Sequence, residues 1–161
     1  MNRIVVLGID PGIATTGWGI VESGKGKMRL IDCGHISTPA RMNVGERLEM
    51  IYDEITAVIF SFSPDEVGIE RLYFNTNVKT AMSVSEARGV LMLASRRQGV
   101  DIFEYTPLEV KQAITGFGRA DKAQVGGMVK VLLGLSEVPK PDDTADAIAV
   151  AICHINRRSG K

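Results

Sequence analysis

Apolar residues run almost unbroken from Arg3 to Ile9, the pattern of a central strand covered on both faces. Thr16–Val21 reads as a second strand. Glu22-Ser23-Gly24-Lys25-Gly26-Lys27 is a turn, and Met28–Ile36 a third strand. Such short connections predict an antiparallel meander. The spacing then changes to that of helices. Leu48, Ile51, Ile55, Val58, Ile59 and Phe62 mark one over Asn43–Phe62, ended by Ser63-Pro64-Asp65. Glu66–Ile69 reads as a short strand, Val78–Arg97 as a helix rich in small residues, and Asp101–Tyr105 as the last strand. Helical stretches follow over Pro107–Thr115 and Lys122–Leu133. After Pro139-Lys140-Pro141 a final helix is expected from Asp143 to Ile155. This order predicts an α/β fold, with a five-stranded mixed sheet flanked by helices on both faces.

With 161 residues, the chain is expected to form one domain over residues 1–161, large enough for a real core. No apolar run is long enough to span a bilayer, and the N-terminus lacks a signal-peptide pattern, so no membrane partner is expected. Cys33 and Cys153 have no metal-like spacing and read as buried, reduced thiols of a cytoplasmic protein. The formal net charge is zero, which argues against a generic nucleic-acid binder. Its distribution is uneven. Residues 1–70 hold 6 Lys/Arg against 10 Asp/Glu, whereas residues 71–130 hold 9 against 5. A basic middle around an acidic centre suits a polyanion bound beside metal ions.

The chemistry starts from Asp10, which ends the first apolar run just before Pro11-Gly12. An unpaired carboxylate at the mouth of a buried strand is costly, so it calls for a surface, a cation or a metal. Glu70 closes the Glu66–Ile69 strand, and Asp143 and Asp146 lie three apart, on one face, where the last helix opens. Taken alone, the aspartates Asp142, Asp143 and Asp146 are explained by helix capping and dipole complementarity. With Asp10 and Glu70 on adjacent strand ends, they form a set of hard oxygen donors suited to divalent cations. A pair of Mg²⁺ ions would relieve their mutual repulsion and clamp the attacking and leaving oxygens of a phosphodiester.

Gly8-Ile9-Asp10-Pro11-Gly12, Thr16-Gly17-Trp18-Gly19, Ile69-Glu70, Asp142-Asp143-Thr144-Ala145-Asp146-Ala147-Ile148-Ala149 and Cys153-His154 together closely resemble the RuvC family of bacterial Holliday junction resolvases. Ala87-Arg88-Gly89-Val90, Phe103-Glu104-Tyr105 and Val110-Lys111-Gln112 extend the resemblance over essentially the whole chain. It implies a ribonuclease-H-like fold, a homodimer, and symmetric nicking of four-way junction DNA with two Mg²⁺ per site, Mn²⁺ being a possible substitute. A branch-migration helicase partner is implied by the family only. Position by position, Asp10, Glu70, Asp143 and Asp146 match the metal-binding carboxylates. Lys111 and Lys122 match basic residues near the scissile region, where they would contact phosphate or stabilise transition-state charge. The family stacks an aromatic residue of the loop after Glu70 on junction bases. This chain has Tyr73 where phenylalanine is expected, with Phe74 next, so either ring is a candidate. Arg71 and Arg88 could hold phosphates near the same loop, a surface ion pair being an equal reading for Arg71. The small surface Ala81/Ser85/Arg88/Gly89/Met92 of the Val78–Arg97 helix fits either the dimer contact or a monomer core. His154 reads as a satisfied structural histidine, and Trp18 as a core residue.

Three other readings compete. A related nuclease of the same fold could act on RNA or RNA–DNA hybrids. An actin-like ATPase would share the strand, Asp10 and the glycine turn, but needs two lobes. A junction-binding module with a decayed site would not be expected to keep all four carboxylates.

Overall fold

A computed structural model describes residues 3–71 and 78–159. Five strands form one sheet in the order β3-β2-β1-β4-β5. β1 (Ile4–Asp10), β2 (Thr15–Gly24) and β3 (Lys27–Ser37) are the antiparallel meander, whereas β4 (Glu66–Glu70) and β5 (Asp101–Tyr105) add parallel to β1. The helices are α1 (Val44–Phe62), α2 (Val78–Arg97), α3 (Pro107–Thr115), α4 (Lys122–Leu133) and α5 (Asp142–Ser159). Among the described residues no helix is long and apolar enough to cross a membrane.

The element order agrees with the sequence expectation, and the differences lie at the ends. Asp10 is the last residue of β1 and still pairs with Gly17 of β2, so the carboxylate belongs to the sheet itself. The meander strands run longer than their apolar cores, because ladder hydrogen bonds continue through the polar residues that flank them. Helix α5 begins one residue earlier, at Asp142, and continues through the polar Asn156-Arg157-Arg158-Ser159.

Strand alternation divides the core in two. Val5, Leu7 and Ile9 face one side with Ile20, Ile36, Val67 and Ile69, and are covered by Ile51, Ile55 and Ile59 of α1 and Ala87, Leu91 and Ala94 of α2. Ile4, Val6 and Val21 face the other side, beneath α5 and the helices α3 and α4 that pack on it. Each fully buried branched side chain contributes roughly 1.5–3 kcal/mol of transfer free energy. Trp18 is half-buried at the rim of the first layer, its ring 6.1 Å from that of Phe62. Cys153 is buried as expected, but Cys33 is only half-buried, because β3 is an edge strand with a largely exposed face.

Capping boxes fix where three helices start: Asn43 with Glu46, Thr106 with Glu109, and Asp121 with Gln124. The last two matter for the site, since they set the phase of Lys111 and Lys122.

Candidate active site

In β1, Asp10 has the same phase as Val6 and Gly8, so it faces α5. Ile9 pairs with Ile69 in the parallel β1–β4 ladder, which makes Asp10 and Glu70 neighbours at the same end of the sheet. What brings α5 to this point is a lack of side chains beneath it. A Cβ on Gly17, the ladder partner of Asp10, would lie 1.9 Å from the carbonyl oxygen of Asp143. A Cβ on Gly8 would lie 2.0 Å from that of Ala147. These two glycines therefore permit a backbone approach that no other residue allows. The Thr144 hydroxyl donates to the carbonyl of Gly34 at 3.1 Å and pins the first turn of α5 to β3.

Three of the carboxylates are displaced from their ordinary range, each chiefly by burial. Burial, then the charges of Glu70, Asp146 and Asp143, push the Asp10 carboxyl up to about 8, with Lys122 opposing. Burial and Asp146 push Glu70 up to about 7, with Lys122 and Lys111 opposing. Asp146 is raised chiefly by burial, despite Lys122 Nζ at 3.4 Å. That ion pair raises Lys122 in turn. Both lysines thus stand beside the acidic centre.

The donor set suits a hard divalent cation: every candidate donor is a carboxylate oxygen, and burial and neighbouring carboxylates disfavour the charged forms of Asp10 and Glu70 unless positive charge is supplied. Among the described residues no three acidic, histidine or cysteine side chains converge into a ready-made metal cage. An open arrangement suits Mg²⁺, which keeps several waters and is commonly held by one or two carboxylates together with substrate phosphate.

The two arginines are engaged. The Arg88 guanidinium pairs with Glu104 of β5, and its Nε donates to the carbonyl of Glu70 at 3.4 Å. Arg71 Nε lies 3.3 Å from the same Glu104 carboxylate, and its backbone N–H donates to the Tyr105 carbonyl at 2.7 Å. Glu104 thereby gathers both arginines behind the end of β4. Partly exposed pairs of this kind contribute little stability, about 0–1 kcal/mol each. Residue patterns gave Glu104 no role, because its partners are 16 and 33 positions away. Tyr73 and Phe74 lie outside the described residues. His154 is the structural histidine expected: its ring nitrogens lie 2.6 Å from the Tyr105 hydroxyl and 2.5 Å from Glu66 Oε2, at the opposite end of β4 from Glu70.

On α2, Ala81 is buried in the monomer and Arg88 is tied to Glu104, so of the small surface read from spacing only Ser85 and Gly89 are exposed. The exposed stripe is Val78, Met82, Ser85, Gly89 and Leu93, one helical turn apart at each step.

Acidic side chains at the ends of adjacent parallel strands and at the start of a helix lying across them, all within a five-stranded mixed sheet, define a ribonuclease-H-like nuclease. Residues 6–154 match the family described as Crossover junction endodeoxyribonuclease RuvC. A relative of that name from Clostridioides difficile (strain 630) is 56% identical over 151 residues, covering 94% of this chain and 89% of the relative. The solved structure of T. thermophilus RuvC in complex with Holliday junction substrate superposes with a TM-score of 0.92 at 37% identity, covering 98% of this chain and 96% of that one. The yeast mitochondrial Holliday junction resolvase Ydc2 shares the fold at 16% identity, with a TM-score of 0.68. The chain belongs to the RuvC family of crossover junction endodeoxyribonucleases.

If Lys122 stabilises the transition state, Lys122→Ala is expected to slow cleavage about 100- to 1000-fold, the scale of removing one preorganised donor. Single-turnover nicking measures it. Circular dichroism melting should change little, since the Lys122 side chain is 69% exposed.

Proposed function

We propose that this chain is a Holliday junction endonuclease of a single domain over residues 1–161, acting as a homodimer in the cytoplasm. The dimer would present its two sites to the two opposed strands of an open four-way junction, whose near two-fold symmetry it matches. The observation that carries the reading is the placement of Asp10 and Glu70 side by side on adjacent strand ends, each pushed up chiefly by burial. Carboxylates so destabilised call for cations, and the family membership supports phosphodiester hydrolysis over nucleotide binding.

Asp10, Glu70, Asp143 and Asp146 would hold two Mg²⁺ ions, with Mn²⁺ as a substitute. When bound, these ions supply the lowered pKa of the attacking water and neutralise charge on the phosphate and the leaving 3′ oxygen. The protein's own residues do the rest. Gly17 and Gly8 let α5 carry Asp143 and Asp146 onto the sheet end. Arg88 fixes the backbone of Glu70. Lys122, paired to Asp146 in the absence of substrate, exchanges that partner for the strand phosphate, and Lys111 approaches it from α3. Arg71 and Arg88 would contribute positive charge near Glu70, and a ring of Tyr73 or Phe74 would stack on junction bases. The exposed Val78/Met82/Ser85/Gly89/Leu93 stripe is the best surface for the second copy. A branch-migration helicase is a further partner that the family suggests.

Junction nicking should stop on chelation and return with Mg²⁺ or Mn²⁺, while gel-shift binding persists without cation. Cleavage that survives exhaustive chelation would remove the carboxylates' proposed role.

A further inference from the structure

Between α3 and α4 lies a short built loop that the catalytic account leaves unused. Its apex residue, Phe117, is 58% exposed, as is Leu108 on α3. A lone exposed apolar side chain is ordinary, but this one sits on a backbone held by several hydrogen bonds. Gly116 ends α3 in the left-handed region (φ 74°), and its N–H donates to Gln112. The Thr115 hydroxyl accepts the Phe117 N–H at 3.1 Å and lies 2.9 Å from the carbonyls of both Lys111 and Phe117. Ala120 N–H donates to the Phe117 carbonyl at 3.2 Å. Leu108 fills the space under Gly118, where a Cβ would come within 2.5 Å of Leu108 Cδ1.

The loop joins the two helices that carry the cations of the carboxylate centre. Lys111, six residues before Phe117, acts electrostatically on Glu70, and Lys122, five residues after it, stands 3.4 Å from Asp146. Arg119 is exposed on the loop itself. An ordered aromatic ring between cations is complementary to a strand that alternates phosphates with flat bases, and poorly complementary to an apolar protein face.

We propose that Phe117 stacks on a base of the substrate strand adjacent to the phosphate held at the carboxylate centre, and so sets how that strand enters the site. This deepens the junction-nuclease reading and rests on it.

The test uses the full-length chain, Phe117→Ala and Phe117→Trp on four-way junctions with either natural bases or an abasic tetrahydrofuran residue beside the cleaved phosphate. Phe117→Ala should slow nicking of the natural junction about 5- to 100-fold, the range of one aromatic–base stack. Removing the stacked base should cost the wild-type chain the same factor and cost Phe117→Ala almost nothing, while Phe117→Trp restores the rate. Melting temperatures should stay equal, since the ring is exposed. Phe117→Ala cutting at the wild-type rate would overturn the proposal, as would losses from the two changes that simply multiply. A variant that instead dissociates the dimer, with no response to abasic positions, would assign the ring to a second copy and also overturn it. Wild-type protein that nicks no junction overturns the underlying function as well, and is distinguished in the first reaction of the series.

Discussion

Asp10→Asn is expected to abolish junction cleavage, by at least about 1000-fold, and at the same time to stabilise the cation-free protein. The two effects have one cause. Asp10 is driven up to about 8, mainly by burial and then by Glu70, Asp146 and Asp143. Its reference value is 3.8, so between about pH 4 and pH 8 the folded protein holds a proton that the unfolded chain has released. Stability of the cation-free protein therefore falls as pH rises through that window. Each unit of such a difference is worth about 1.4 kcal/mol. Asp10 keeps an exposed edge, and water screens part of the penalty, so we expect about 2 kcal/mol at pH 8, or a gain of roughly 4–8 °C in Tm for Asn. Melting curves at pH 5 and pH 8, with chelator and with Mg²⁺, measure it. The wild-type chain should lose stability on going to pH 8 and recover with Mg²⁺; Asp10→Asn should show a smaller loss, the remainder coming from Glu70 and Asp146. Glu70→Gln should likewise lose cleavage and retain junction binding, with a smaller effect on melting because its shift, to about 7, is smaller. A fully active Glu70→Gln protein would refute the site.

Gly17→Ala is expected to cost about 1–3 kcal/mol of stability and at least 100-fold in cleavage, although residue 17 bears no chemistry. The new methyl group would lie 1.9 Å from the Asp143 carbonyl oxygen and 2.3 Å from its carbon, both backbone atoms. No side-chain rotation relieves such a clash, so the first turn of α5 must lift from the sheet. Misplacement of reacting groups by about 1 Å is enough for a 100-fold loss. Gly127→Ala in α4 is the control, since a Cβ there meets nothing within 4 Å. It should keep full activity and gain up to about 1 kcal/mol from helix propensity. Equal behaviour of the two variants in melting and nicking would contradict the proposed role of Gly17.

Strand and helix periodicity carried the fold, because each layer of this sheet buries a clear stripe. Ile51, Ile55 and Ile59 mark α1 as plainly in the sequence as in the core. The carboxylates were legible for a related reason: a charge at the end of an apolar run, as at Asp10 or Glu70, conflicts with its surroundings. What the pattern could not supply was contact between distant segments. Gly8 and Gly17 were visible as motif residues, yet only the folded chain shows α5 lying against them. The Arg88–Glu104–Arg71 cluster joins three elements and has no local signature. The small surface of α2 fitted a dimer contact or a monomer core equally; the fold buries Ala81 and leaves Ser85 and Gly89 exposed. Phe117, an aromatic residue between two glycines, reads in the sequence as an ordinary turn, and only the folded chain shows it exposed on a loop between the helices of Lys111 and Lys122.

The most direct test of the account is Mg²⁺-dependent nicking by the purified chain of an end-labelled four-way junction, beside linear duplex and RNA–DNA hybrid of matched sequence. Paired nicks at symmetric positions on opposed strands of the junction, with the linear duplex and the hybrid left intact, are the predicted result. Cleavage of the hybrid in preference to the junction, or tight junction binding without any Mg²⁺-dependent cut, would contradict it.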